Sequence, residues 1–146
     1  MSPMIVVDGA HNRHGMEALC ESLRMLRSRV PGRLNLLVGM LRDKNPEQAL
    51  AVLESIFTGD DAFLPGTIDV MTPDSPRAMP AEELASLLHD MPCFADVEIR
   101  SMQSVVGDVC RAAVSRLGED DGLLCFGSLY LAAALRQPLH DALDYR

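Results

Sequence analysis

A three-layer α/β fold, with a mostly parallel sheet covered by helices on both sides, follows from three features of this 146-residue chain. Short apolar runs rich in Val, Ile and Leu alternate with stretches whose apolar residues recur every three or four positions. The run from Leu34 to Met40 is apolar on both faces apart from Asn35, as a central parallel strand requires and a half-wet antiparallel strand does not. Gly, Pro, Asn and Asp cluster where one kind of segment gives way to the other. Strands alternating with helices imply right-handed crossovers and a sheet buried between two helical layers.

Ile5-Val6-Val7 reads as the first strand, and Met16, Leu19, Cys20, Leu23 and Leu26 as the buried stripe of the helix after it, broken at Pro31-Gly32. Leu34 to Met40 is the second strand. Asn45-Pro46 then caps and starts a helix with Ala49, Leu50, Leu53, Ile56 and Phe57 inward. A longer loop leads to a third strand, Thr67 to Thr72. The proline-rich stretch Pro73 to Pro80 is expected to be exposed, ahead of a short helix marked by Leu84, Leu87 and Leu88. Val97-Glu98-Ile99-Arg100 alternates apolar and charged, the pattern of a strand near a sheet edge. The stripe from Val105 to Leu117 is helical and stops at Gly118. Leu123 to Phe126 is the last strand, and Leu129 to Leu135 the last helix, ending before Pro138.

Composition narrows the partners. No apolar run approaches the roughly 20 residues of a membrane helix, and a basic-then-apolar leader is missing from the start of the sequence. A net charge of −8 argues against attraction to nucleic acid or anionic lipid. Cys20, Cys93, Cys110 and Cys125 lack the paired spacing of zinc sites, so no metal site is expected. Three of them sit in apolar stripes, where cysteine acts as a small core residue, and Cys93 is harder to place. Reduced thiols in a cytoplasmic protein follow most simply.

The segment Ile5 to Asn12 carries the most chemical information. An apolar strand stops at an acid, a glycine, a histidine and an asparagine, and a helix begins at once. Such a loop delivers polar groups to the carboxyl edge of the sheet, where open α/β sheets bind ligands. Asp8 at the strand end can accept hydrogen bonds from ribose hydroxyls, or can cap its own loop. His11 lies beside a helix N-terminus, which favours anions; it either helps hold a phosphate or carboxylate or packs within the loop. Asn12 is most simply the cap of the first helix. Ser128 follows the last strand, on the edge predicted for Asp8, and can also cap the last helix. Arg42, Asp43 and Lys44 form either a solvated, self-paired loop or a surface facing another domain. Arg77 either binds a carboxylate with its planar fork or anchors its own turn.

Asp8-Gly9-Ala10-His11-Asn12 resembles the signature that opens the C-terminal domain of folylpolyglutamate synthase and dihydrofolate synthase, relatives of the Mur ligases. Val38-Gly39-Met40-Leu41-Arg42-Asp43-Lys44-Asn45 is similar to that family's next strand end, Pro76-Arg77-Ala78 to a short element after it, and Phe126-Gly127-Ser128-Leu129-Tyr130 to its last strand end. Four such segments in order span nearly the whole chain. Arg13 departs from the pattern, standing where the family usually has proline.

The resemblance implies a Rossmann-like sheet with one antiparallel strand, and makes residues 1–146 a Mur ligase-like C-terminal domain without its N-terminal ATPase domain. The whole enzyme would add L-glutamate to a folate or to dihydropteroate at the expense of ATP and magnesium. The phosphate loop and most magnesium ligands belong to the ATPase domain; here the only lysine, Lys44, follows Asp43, so no Gly-Lys-Ser/Thr loop exists. An arginine that the family places upstream of the signature to contact ATP is missing too. The chain is thus expected to be a fragment, or a domain by itself, that does not ligate alone. The resemblance further implies that Asp8, His11 and Asn12 face the nucleotide, that His11 and Ser128 serve the reaction near the glutamate or phosphate, and that the ATPase domain is the partner. Two alternatives stay open: a binding or regulatory module of the same fold, and the C-terminal domain of another Mur-type ligase.

Overall fold

The computed structural model describes residues 3–144. Its strands are β1 (Met4–Val7), β2 (Arg33–Val38), β3 (Leu64–Val70), β4 (Ile99–Ser101) and β5 (Gly122–Phe126), and its helices α1 (Arg13–Met25), α2 (Pro46–Glu54), α3 (Ala81–His89), α4 (Val106–Ser115) and α5 (Leu129–Asp144). The strands form one sheet in the order β1-β5-β2-β3-β4, and every pairing is parallel.

Side-chain alternation along the strands separates two cores. Leu34, Leu36 and Val38 of β2 and Leu124 and Phe126 of β5 face one cluster, which includes Met16 and Leu23 of α1, Leu53 of α2 and Leu84 of α3. Leu37 of β2 and Leu123 and Cys125 of β5 face the other, with Val109 and Val114 of α4 and Leu135 and Leu139 of α5. A period of two along each strand supplies both faces, which is why the central strands read as continuous apolar runs. Cys20, Cys110 and Cys125 are buried and Cys93 packs against the first cluster.

Asn35, the polar exception on β2, has a structural task. The β2–β3 register shifts between Leu34 and Leu36, and Asn35 Oδ1 accepts the Thr67 N–H there at 2.9 Å. Gly66 lets it in: a Cβ at that position would lie 1.7 Å from Asn35 Oδ1.

The structure departs from the sequence reading at several points; among them, Pro73 and Met79 of the proline-rich stretch are buried, and Val105 is exposed ahead of α4. No antiparallel strand is present among the described residues; β4 follows β3 through α3 and pairs in parallel, Ile68 with Ile99, and the sole antiparallel pairing is an isolated bridge between Leu41 and Ala78. β3 starts at Leu64, before the expected Thr67, because the register shift admits Pro65. Asn45 adopts the left-handed region (φ 51°) and makes no side-chain cap, leaving Pro46 at the first turn to start α2. Finally, α5 runs through Pro138. Leu139 and Ala142 beyond it are buried, and that burial outweighs the hydrogen bond to the Ala134 carbonyl that Pro138 cannot make.

Candidate functional site

The β1 and β5 ends are tied together. Asp8 N–H donates to Cys125 O (2.9 Å) and Gly127 N–H to Ala10 O (2.9 Å). Gly127 has φ 117°, and a Cβ there would come within 2.3 Å of Gly39 O, so this turn needs glycine. Asp8 Oδ1 accepts the Ala10 N–H at 2.7 Å; Asp8 Oδ2 has no partner among the described residues. His11 Nδ1 lies 2.8 Å from Gly9 O. A carbonyl can only accept, so the proton sits on Nδ1 and Nε2 is left available. Asn12 Oδ1 caps α1 by accepting Gly15 N–H at 2.7 Å. Ser128, 1% exposed, caps α5, its Oγ accepting Tyr130 N–H (3.1 Å) and Leu131 N–H (3.4 Å).

The loops after β1, β2, β3 and β5 meet around a cavity of about 210 Å³, lined by His11, Leu41, Lys44, Arg77, Ser128, Leu129 and Tyr130. It brings His11 and Ser128 together; Asp8 and Asn12 lie in the same loop as His11 but do not line it. Arg77 and Lys44 bring positive charge. Arg77 Nη1 pairs with Asp43 Oδ2 at 2.8 Å, and this partner most, with the neighbouring Tyr130 phenol, raises the Arg77 pKa. Lys44 has no carboxylate partner among the described residues, so it leaves a net positive charge in the cavity of a strongly acidic chain. Beside the cavity the loops after β2 and β3 are clasped: Arg42 N–H donates to Arg77 O (2.8 Å) and Met79 N–H to Met40 O (2.9 Å). Both terminal nitrogens of Arg42 also pair with the Glu83 carboxylate at 2.8 Å.

A larger hollow of about 670 Å³ opens at the amino edge, lined by Arg33, Asn35, Thr67, Arg116 and Asp121 among others. Several of its polar groups are committed, although Thr67 Oγ1 and Arg116 Nε are buried there without a hydrogen-bond partner among the described residues. Arg116 pairs with buried Asp69, Asp121 accepts the Arg33 and Gly118 N–H groups at 2.8 Å each, and Arg33 donates to Pro65 O at 3.0 Å. The smaller cavity, at the carboxyl edge where open α/β sheets bind ligands, is the better ligand site despite its size. No group of three His, Cys, Asp or Glu converges as a metal cage among the described residues, and none of their helices is long and apolar enough to cross a membrane. Nucleophilic thiol chemistry does not fit: burial, reinforced by Glu54, pushes Cys93 up to about 11, and burial pushes Cys110 up to about 11.

Leu129 and Tyr130, which follow Ser128 directly, also line the cavity, although the sequence pattern does not single them out as site residues. Of the two readings for Arg42, Asp43 and Lys44, the loop paired within itself is not what forms: Arg42 pairs with Glu83 and Asp43 with Arg77, both outside the loop, and Lys44 has no salt bridge among the described residues. For Arg77 both readings hold in part, since it anchors its turn through Asp43 and lines the cavity.

Known proteins share this architecture. The chain is 31% identical over 138 residues to the folylpolyglutamate synthase of Lacticaseibacillus casei, an alignment covering 94% of this chain and 27% of that protein. The structure of E. coli FolC in complex with DHPP and ADP matches with a TM-score of 0.71 at 27% identity, over 96% of this chain and 29% of that one. The bifunctional folylpolyglutamate synthase/dihydrofolate synthase of Yersinia pestis, complexed with AMPPNP and Mn ion, matches with a TM-score of 0.69 at 26% identity, over 93% and 28% of the two chains. The chain therefore spans under a third of the length of these relatives. Residues 2–129 match the family described as Mur ligase, glutamate ligase domain, and the chain belongs to that family.

Proposed function

We propose that this chain is the C-terminal part of an ATP-dependent ligase that adds L-glutamate to folate or dihydropteroate, and that its carboxyl edge forms one wall of a site completed by an ATPase domain. The observation that carries this reading is the convergence of Lys44, Arg77 and His11 on one cavity at the carboxyl edge, in a member of a glutamate ligase family.

Such a ligase uses ATP to activate a carboxylate as an acyl phosphate, which the glutamate amine then attacks. The parts assigned to this chain are binding and orientation, the main sources of rate in such transfers. Lys44 and Arg77 supply charge and a planar fork for a glutamate carboxylate. His11 Nε2 and the Ser128 hydroxyl stand at the same cavity, toward the reacting phosphate or carboxylate. Asp8 Oδ2 is free to accept a ribose hydroxyl, beside Asn12 at the start of α1. The nucleotides and Mn ion bound by the two structural relatives support a nucleotide and a divalent metal in the whole enzyme; magnesium would take its ligands mainly from the ATPase domain. The cytoplasm is the compartment that folate substrates and four free thiols suit.

Calorimetric titration tests the reading. Magnesium, ATP and L-glutamate are added to the chain alone and then with the purified ATPase domain of a folylpolyglutamate synthase. Glutamate binding that requires the domain, weakened roughly ten- to a hundredfold by Lys44→Ala, supports it. Binding that ignores the domain and tolerates the substitution supports a stand-alone module instead.

A further inference from the structure

We propose that Asp43 is a positioning residue for the carboxylate pocket, holding the Arg77 guanidinium so that its remaining donors stay at the cavity; the inference rests on the ligase reading above. Arg77 projects from an exposed loop between Pro76 and Ala78, where a free arginine would sample many rotamers. Asp43 limits that freedom: its Oδ2 takes Arg77 Nη1 at 2.8 Å, at a cavity that Tyr130 also lines. An arginine carries five N–H donors in a fixed fork, so this anchor leaves donors for a ligand at the cavity that Arg77 lines.

The ion pair is not what joins the two loops. The Leu41–Ala78 bridge, the backbone bonds from Arg42 to Arg77 and from Met79 to Met40, and the Arg42–Glu83 pair do that without Asp43. With both side chains about half exposed, at 48% and 49%, the pair adds little to stability. What it does control is the direction of the fork. A lysine at position 77 would not replace it, because a point charge on a flexible stem has no fork to aim.

Positioning and plain electrostatics predict opposite signs. Asp43→Asn removes a negative charge beside the pocket, so Coulomb attraction alone would tighten binding of an anionic ligand. Loss of positioning loosens it. Two readouts decide. In the nitrogen-15 NMR spectrum of the 146-residue chain, the Arg77 Nε–H signal is expected to stand apart in the native protein and in Glu83→Gln, and to move to the position of a solvent-averaged arginine in Asp43→Asn. In the titration of L-glutamate with the ATPase domain present, Asp43→Asn is expected to raise Kd roughly three- to tenfold, Asp43→Glu to restore part of the loss, and Asp43→Asn to add nothing in an Arg77→Ala background. Unchanged or tighter binding in Asp43→Asn, with Arg77→Ala still weakening it, would overturn the proposal and leave the ligase reading standing. Normal binding in Arg77→Ala would overturn the carboxylate role of Arg77, and the proposal with it.

Discussion

The Asp8 carboxylate has one committed oxygen and one free, and the two uses can be separated by substitution. Oδ1 satisfies the N–H of Ala10, a residue only 7% exposed. Asp8→Ala therefore strands a buried donor, and it is expected to cost about 1–3 kcal/mol of stability. Asp8→Asn keeps an oxygen for Ala10 and loses the charge. It should melt near the native temperature yet lower kcat/KM for ATP roughly tenfold in a complete ligase, because the bond to a ribose hydroxyl is no longer charge-assisted. Melting and kinetics measured on one preparation check this; native kinetics in Asp8→Asn would confine Asp8 to its loop. Sequence reasoning could find Asp8, His11 and Ser128 because each follows an apolar run at a strand end. It could not tell how far Ser128 would be buried: it lines the cavity yet is 1% exposed, its Oγ taken up by the first N–H groups of α5. Nor could it see Arg77 reach Asp43, because that pairing depends on a loop-to-loop bridge 34 residues apart.

At the level of elements, period and punctuation made five strands and five helices legible, and the dry central strands followed from their unbroken apolar runs. One misreading comes from tertiary burial overriding a local rule. Proline should end a helix, yet α5 continues through Pro138 because Leu139 and Ala142 have a core to join. Pro138→Ala restores the missing donor, and is expected to raise stability by about 1–3 kcal/mol in denaturant unfolding. A loss of stability would mean that the ring itself packs usefully. Ser128→Ala should act in the opposite direction, costing about 1 kcal/mol as a lost helix cap. The same unfolding experiment measures it, and an unchanged midpoint would show that α5 needs no cap there. The strand order placing β5 between β1 and β2 was not legible, because periodicity identifies a strand and says nothing of its neighbour.

For the whole molecule, burial sets the response to alkali. The thiols of Cys20, Cys93, Cys110 and Cys125 all have raised pKa values, in each case chiefly through desolvation. A group whose folded-state pKa lies above its unfolded value contributes fully below the unfolded value, about 8.5 for cysteine, and loses that contribution as pH rises through the folded one. With Cys93 and Cys110 at about 11, stability is expected to hold to about pH 8.5 and decline toward pH 11 under reducing conditions. Cys110→Ala should flatten that decline in Tm; an identical slope would assign it to other groups.

The central claim is that ligands meet this chain at the carboxyl edge and nowhere else, and backbone NMR of the labelled chain tests it most directly. With the ATPase domain, magnesium, ATP and L-glutamate present, the signals of Asp8, His11, Lys44, Arg77, Ser128 and Tyr130 should shift together, while those of Asn35, Gly66 and Thr67 at the amino-edge hollow stay fixed. Shifts centred on Asn35, Gly66 and Thr67, with the carboxyl edge unmoved, would contradict the account.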